Sequence, residues 1–566
     1  MTKDVNGLPA ALDALPAEAR ARLKQKLKNK RLSGHSLIAH SLQRLGVTHV
    51  YGISGTPVYE THAACASSGM RVIGVRHQQA GAMMAAAQNY LAGRLCAVAI
   101  LSAGPAITNV VTSVLVARDN GWPLLVLGGR RPMNMQGMGC FQELDAVPIF
   151  RSLTKFSGTI ESTAKIAESL EHAVHVASSG RPGPVYLDLP EEILKGVAIP
   201  TDGYTRPLPE MPAVDAAAIN RVALMLNQAQ RPAVIIGETV RWAEPFVELD
   251  QLVNRLDAPF ITSAMGQGYL PDNHPLCYNF ARSQLLSTAD VVLVIGARLD
   301  WRFRFGAEIA RNAKLIQVHA HEPEYADNIS SAISITGDLN SVLQQLLRVL
   351  ADEKNETNPE RRLWRGTLDK TRADRQAQLE QMAEKNVHPM TVQRLVKEIR
   401  DVISYDTICV IDGNLILAAA QQLLPSYLPV SRLTPGNNGC MGVGIPFGIG
   451  AKFARPERPV VIICGDTAFG FNVMEMETAV RLRIPVIIII ANNDGNGGAR
   501  NQRAFYPEDY PDRVTMFQPG LRYEQIMQTF GGHGEFVEHP EHLRRAFERA
   551  VASGLPACIN VRVNID

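Results

Sequence analysis

The sequence predicts an α/β protein built from three doubly wound parallel-sheet domains. Short apolar runs such as THVYGI, PAVIIG and PVVIIC recur, bounded by glycine or proline and followed by amphipathic helical patterns. That alternation gives parallel sheets covered on both faces. The chain has 566 residues, a length that suits about three domains. Two connections, a proline-rich one over 201–214 and a charged one from 351 onward, divide the runs into three groups.

Taken in order, the first element is a basic extension over 1–31. Its LPAEARARLKQKLKNKR stretch is helix-prone and dense in Lys and Arg, and reads either as a solvated extension or as a docking segment for a partner protein. The first domain spans 32–200, with strands expected at THVYGI, RVIGVRH, CAVAILSAGP and PLLVLGG. The second spans 215–350, with strands at PAVIIG, PFITS, VVLVIG and LIQVHA. A linker over 351–386 leads to the third domain, 387–566, which contains PVVIIC and PVIIII.

The balance is that of a globular enzyme: 46% hydrophobic and 20% charged. With 57 Lys plus Arg against 55 Asp plus Glu, the net charge of +2 gives no argument for a nucleic-acid partner, and none is expected. Eight scattered cysteines without a Cys-x-x-Cys fit free thiols in a reducing compartment. No apolar run reaches membrane-spanning length, and the N-terminus lacks a signal-peptide core. The expectation is a cytoplasmic protein with no membrane partner.

The most informative stretch is GDTAFGFNVMEMETAVRLRIPVIIIIANNDGNGG. It reads strand, loop, helix, strand, loop, so Asp466 and Asn493 fall at the carboxyl edge of one sheet, where α/β folds bind ligands. A carboxylate and an amide oxygen there are hard donors suited to Mg²⁺. The bland alternative is a pair of loop caps. The spacing, Gly465 before Asp466 and the double Asn together favour the metal. In IDGNL, Gly413 and Asn414 follow the apolar run TICV and are candidates for holding an anionic group.

The stretch resembles the diphosphate-binding motif of thiamine diphosphate (ThDP) enzymes, which begins Gly-Asp-Gly and ends Asn-Asn; here Thr467 and Ala468 follow Asp466. The resemblance, acetolactate synthase-like in its skeleton, covers nearly the whole chain after Leu32. It includes YGISGTPVYE, LSAGPAITN and GCFQELD in the first domain and NNGCMGVGIPFGIGA in the third. It implies pyrimidine-binding, central and diphosphate-binding domains, the first and third sharing a fold. It also implies Mg²⁺ ligands at Asp466, Asn493 and the Gly495 carbonyl, a cofactor seat at Gly413, Asn414, Gly439, Gly465, Thr467 and Ala468, and Met441 as the residue that bends the cofactor. Gln142 is expected at the substrate. The cofactor lies between domains of two chains in this family, so a homodimer or homotetramer is implied.

The second domain resembles that of 2-hydroxyacyl-CoA lyases and oxalyl-CoA decarboxylases, through VVLVIGARLDWRFRFG and LIQVHAHEPE. CoA or ADP is thus a candidate ligand, with Arg298, Arg302 and Arg304 able to meet phosphates. The implied activity is a ThDP- and Mg²⁺-dependent carbon–carbon lyase or carboligase. Its substrate would be a 2-oxo acid, an aldehyde or a 2-hydroxyacyl thioester. An acetolactate synthase-like decarboxylating carboligase is the alternative, and a flavin-bearing relative a third; no Gly-x-Gly-x-x-Gly fingerprint supports the last.

The chain departs from the family in three places. Gln78, in VRHQQAGAMM, takes the position of the glutamate that protonates the cofactor's pyrimidine. An amide hydrogen-bonds there but is no proton donor of useful acidity, and loss of such a partner costs about 10²–10⁴ in rate. Gln78 therefore leaves three readings open: an engineered trap, a native catalyst that tolerates slow activation, or a ThDP-binding scaffold with weak catalysis. In the turn after Asn493, Asn496 and Gly497 replace Ile and Tyr, so Asn496 is expected to face a wider, more polar pocket. The chain ends at INVRVNID, where the CoA-using members continue into a tail; a free 2-oxo acid or a protein-bound thioester is then the expected alternative to CoA.

Overall fold

The computed structural model of the chain describes residues 31–201, 214–321, 328–351 and 359–564. All but the last residue of the basic extension, and nearly all of the proline-rich linker, lie outside the described residues. So does the start of the second connection.

Three parallel sheets form the frame. In the first, β1 (His49–Gly52), β2 (Arg71–Gly74), β3 (Ala97–Leu101), β4 (Leu124–Arg130), β5 (Phe156–Thr159) and β6 (Pro184–Pro190) lie in the order β2-β1-β3-β4-β6-β5. The second contains β7 (Pro232–Ile236), β8 (Phe260–Thr262), β9 (Val291–Ile295), β10 (Lys314–His319) and β11 (Ile333–Thr336), ordered β8-β7-β9-β10-β11. The third has β12 (Met390–Thr391), β13 (Ile408–Asp412), β14 (Arg432–Leu433), β15 (Val460–Gly465), β16 (Ile487–Asn492), β17 (His533–Val537) and β18 (Ala557–Asn564). Its order is β12-β18-β16-β15-β13-β14, with β17 also on β18. All pairings in the three sheets are parallel.

Set β12 aside and read the third sheet from β14: its succession is the same as that of the first. The expected kinship of the first and third units is therefore present in their topology. In each sheet the chain reverses its direction of travel beside the first strand, which opens a crevice at the carboxyl ends. The crevices fall between β1 and β3, β7 and β9, and β13 and β15. The central strands are buried apolar runs rich in β-branched residues, such as Val460–Cys464 and Ile488–Ala491, as sheets covered on both faces require.

Helices fix the sheets to one another. Helix α1 (Gln78–Ala92) is almost wholly buried beyond its first turn. Helix α2 (Pro359–Ala383) occupies most of the stretch expected to be a linker. It is a docked element: Arg361 is buried and donates to the carbonyls of Leu226, Leu256 and Ala229 at 2.7–2.8 Å. Helix α3 (Asn414–Leu423) follows β13 and helix α4 (Gly444–Ala454) precedes β15. Helix α4 lies against α1 so closely that a Cβ on Gly450 would stand 2.4 Å from the Met84 carbonyl oxygen. Trp122 bridges the same seam, 4.7 Å from Tyr90 and 4.9 Å from Phe447 between ring centres. Helix α5 (Gly498–Phe505) follows the turn after β16.

The strand expected over RVIGVRH ends early, at Gly74. His77 caps α1 instead, its ring accepting from the Gln79 N–H at 3.2 Å, and Gln78 is the first helical residue. No helix among the described residues is long and apolar enough to cross a membrane.

Candidate active site

The crevice of the third sheet holds a cavity of about 290 Å³. Gly413, at φ +106°, turns the chain from β13 into α3, and it lines the cavity with Asn414. From the end of β15 come Gly465, Asp466, Thr467 and Ala468; from the turn after β16 come Asn493, Gly495 and Asn496; Met441 forms a further wall. These residues, expected from sequence to hold a metal, a diphosphate and a substrate, are thus gathered around one space. Gly439 is exposed at φ +61° and does not line it.

Asp466 is buried, and burial raises its carboxyl to about 6. Backbone N–H groups offset part of this: Oδ1 accepts from Thr467 at 2.7 Å and Oδ2 from Gly495 at 2.8 Å. The Asn493 Nδ2 is buried without a hydrogen-bond partner. The turn that carries both ligand candidates is braced from outside. Asp494, at φ +56°, accepts from Arg562 at 2.7 Å, and Thr515 donates to the Gly498 carbonyl at 2.9 Å. A buried carboxylate, an amide oxygen and a backbone carbonyl at the edge of one cavity are a donor set that fits a hard divalent cation. The cation's charge would relieve the cost of burying Asp466.

The first unit carries the other expected residues on its own crevice edge, none of them lining that cavity. Gln78 begins α1 after β2. Its Oε1 accepts from Asn109 Nδ2 at 3.0 Å, and Asn109 ends the loop after β3. Gln142 lies in the segment after β4, at φ +59°. It presses on that same loop, since a Cβ on Gly104 would be 2.9 Å from the Gln142 Cβ. The structure therefore gathers the expected residues into two groups, one on the third sheet and one on the first.

Sequence reasoning missed Arg500 and Asn501, which line the cavity from the first turn of α5, and Val392 and Val563 at its far edge. The glycine-rich turn before α5 was the available signal for the first pair. In the second unit the crevice between β7 and β9 holds another cavity of about 290 Å³, lined by Thr239, Gly296, Arg298, Trp301 and His319. Arg302 does not serve it as expected. It is bound by Asp300 at 2.8 Å and Glu238 at 3.0 Å, so its charge is already neutralised. Arg304 is exposed at φ +50°.

Residues 32–149 match the thiamine pyrophosphate enzyme N-terminal TPP binding domain, 219–346 the central domain and 413–561 the C-terminal TPP binding domain. The chain belongs to the thiamine pyrophosphate enzyme family, and thiamine diphosphate is the cofactor these domains bind. It is similar to 2-hydroxyacyl-CoA lyase 1 of Homo sapiens, 32% identical over 550 residues, covering 94% of this chain and 95% of the relative. It is also similar to the acetolactate synthase large subunit of Mycobacterium tuberculosis, 33% over 530 residues, covering 93% and 94%. Oxalyl-CoA decarboxylase of Escherichia coli (strain K12) is 30% identical over 550 residues, covering 94% and 95%.

Proposed function

We propose that this chain is a ThDP- and Mg²⁺-dependent enzyme that makes or breaks a carbon–carbon bond next to a carbonyl, acting on a 2-oxo acid or a 2-hydroxyacyl thioester. The observation that carries the reading is the third-sheet cavity, where Asp466, Asn493 and Gly495 meet Gly413 and Met441. Asp466, Asn493 and the Gly495 carbonyl would hold the cation. Gly413, Asn414, Gly465, Thr467 and Ala468 would seat the diphosphate, with Met441 beneath the thiazolium. When bound, the cofactor supplies a nucleophilic carbon and an electron sink.

The chain's own residues orient and shield. Gln78 meets the pyrimidine, Gln142 contacts the substrate and Asn496 widens the chamber. Gln78 and Gln142 line no part of the third-sheet cavity, which supports the reading that a second copy supplies them in a working unit of at least a homodimer. The second-unit cavity, with Arg298 at its wall and Trp301 donating to the Asn437 carbonyl at 3.2 Å, suits the nucleotide end of CoA or ADP.

Calorimetry tests the base of this reading: ThDP uptake that depends on Mg²⁺ in the wild type and is lost in Asp466→Ala supports it. Mg²⁺-independent uptake unchanged by that substitution refutes it. Mass spectrometry of products from a panel of 2-oxo acids and 2-hydroxyacyl-CoAs then identifies the substrate. An Asn496→Ala variant with unaltered selectivity on the best of these removes Asn496 from the chamber. The specific observation favouring a second reading, a scaffold that binds ThDP with little turnover, is the amide at Gln78. A Gln78→Glu variant that releases no product from any member of the panel, despite stoichiometric ThDP, supports it.

A further inference from the structure

We propose that a cavity at the amino edge of the third sheet, beside Arg432, binds one phosphate-class oxyanion, either free phosphate or the phosphate end of a small monoester. The cavity measures about 150 Å³, several times the space that one water needs. Thr407, directly before β13, and Ser431, directly before β14, both line it. It therefore lies at the opposite edge of the sheet from the cavity that gathers Asp466 and Asn493. Tyr405 and Tyr427 line it as well and are exposed, so it reaches solvent.

The observation that calls for an anion is a buried, unbalanced cation. Arg432 lines the cavity, is 2% exposed and has its Nε buried without a hydrogen-bond partner. A guanidinium does not lose its proton in a protein, and burial opposes its charge. The other nitrogens donate to the Leu424 and Ala420 carbonyls at the end of α3, the second at 3.5 Å. A helix end supplies about half a negative charge, so the balance is partial. Among the described residues no carboxylate stands within ion-pair distance of Arg432. Asp272 acts on it from farther off. That carboxylate is engaged elsewhere, Oδ2 by the Ser426 N–H at 2.7 Å and Oδ1 by Asn279 at 3.0 Å. Cys409, the other group whose field reaches Arg432, is a neutral thiol, pushed up by burial to about 11. Arg400, the second cation of the cavity, is already matched by Glu380 at 2.6 Å and Asp401 at 3.2 Å.

The remaining walls suit an oxyanion. Ser404 and Thr407 share one hydrogen bond at 3.0 Å, so one of the two hydroxyls keeps its proton to donate. The Ser426 hydroxyl, in the same wall, makes no hydrogen bond among the described residues. A guanidinium and two hydroxyl donors match the oxygens of a phosphate group. The space beyond restricts the rest of the ligand. A larger cavity of about 580 Å³ adjoins through Arg400, Leu424, Pro425 and Tyr427, and Asp272 and Glu380 line it. Those carboxylates disfavour a second anionic group, so a monoester seated here has one charged end and a neutral body.

The test titrates the full chain with sodium phosphate, with glycerol 3-phosphate and, at matched ionic strength, with sodium chloride. Calorimetry and thermal denaturation read the result. Runs with and without ThDP and Mg²⁺ separate this uptake from any at the opposite edge of the sheet. The wild type is expected to bind one phosphate per chain and to melt higher in phosphate than in chloride. Tighter binding of glycerol 3-phosphate than of phosphate identifies a monoester as the ligand; equal or weaker binding identifies free phosphate, and either order upholds the site. Arg432→Met is expected to weaken phosphate uptake about 100-fold or more, the effect of removing one buried charge partner. The double variant Thr407→Val/Ser426→Ala keeps the cation, removes two hydroxyls and is expected to weaken uptake about ten-fold. Phosphate that acts on the wild type no differently from chloride overturns the proposal. So does wild-type affinity in a folded Arg432→Met protein, which puts the anion elsewhere. Where Arg432→Met does not fold, wild-type affinity in the double variant overturns it instead.

Discussion

Glu475, on the third unit, receives the His77 N–H of the first unit at 3.0 Å across 398 residues of sequence. The same oxygen takes the Arg76 N–H, and the other is held by Thr478 at 2.7 Å. Burial raises the Glu475 carboxyl above the usual range, and these donors limit the rise. The contact seats the start of α1, and with it Gln78.

Removing that acceptor strands two inward-facing backbone donors. Glu475→Ala is expected to lower unfolding stability by about 3 kcal/mol. Glu475→Gln, which keeps an accepting oxygen, costs about 1 kcal/mol or less. Urea denaturation of the three proteins checks the order.

The proposed cation grip makes a separable claim. Asp466→Ala and Asn493→Ala are each expected to weaken Mg²⁺-supported ThDP binding by about 100-fold or more. Asn493→Ala should lower the stability of the cofactor-free protein by no more than about 1 kcal/mol, because the Asn493 Nδ2 has no hydrogen-bond partner to lose, whereas Asp466→Ala, which strands the Thr467 and Gly495 N–H groups, should cost about 1–3 kcal/mol. Titration calorimetry gives the first quantity and denaturation the second.

Asp412, the last residue of β13, is buried, and burial pushes its carboxyl up to about 7. Its Oδ2 accepts from the Gly444 N–H at the start of α4 at 2.7 Å. A folded-state value above the unfolded one means that the group's stabilising contribution is complete below about pH 4 and is lost as pH rises through about 7. Relative to Asp412→Asn, the wild type is therefore expected to lose up to about 4 kcal/mol between about pH 4 and pH 8. Denaturation of both proteins across that range tests the sign.

Gly495 sits at φ +145°, and a Cβ there would lie 2.1 Å from the Thr515 carbonyl oxygen. Gly495→Ala should displace the turn that carries Asn493 and cost about 1–3 kcal/mol locally. Mg²⁺-dependent ThDP binding would be lost while the far-ultraviolet spectrum stays native. Binding at wild-type affinity would show that the turn tolerates the shift.

What could be read in advance was local in sequence. Asp466 and Asn493 each close an uninterrupted apolar run, so their place at a sheet edge followed from strand length alone. Strands with polar interiors were not legible. β6 carries Asp188 in its interior, and Arg130 at 2.7 Å, Tyr186 at 2.5 Å and Thr159 at 3.2 Å make that carboxylate tolerable inside a sheet. Arg302 read as a phosphate ligand because a guanidinium fork matches phosphate oxygens; of the two carboxylates that neutralise it, Asp300 stands two residues before it and Glu238 lies 64 residues earlier. The Gln78–Asn109 bond and the Glu475 anchor were hidden for the same reason: the partners meet only after folding.

At Gly450 the bare contact with the Met84 carbonyl leaves no side chain at that point of the α4–α1 seam to absorb a change in spacing. Chimaeras that exchange the first or the third unit with that of a relative would therefore need to carry both helices together. A donor bringing alanine in place of that glycine would wedge the first and third units of the chain apart at this seam.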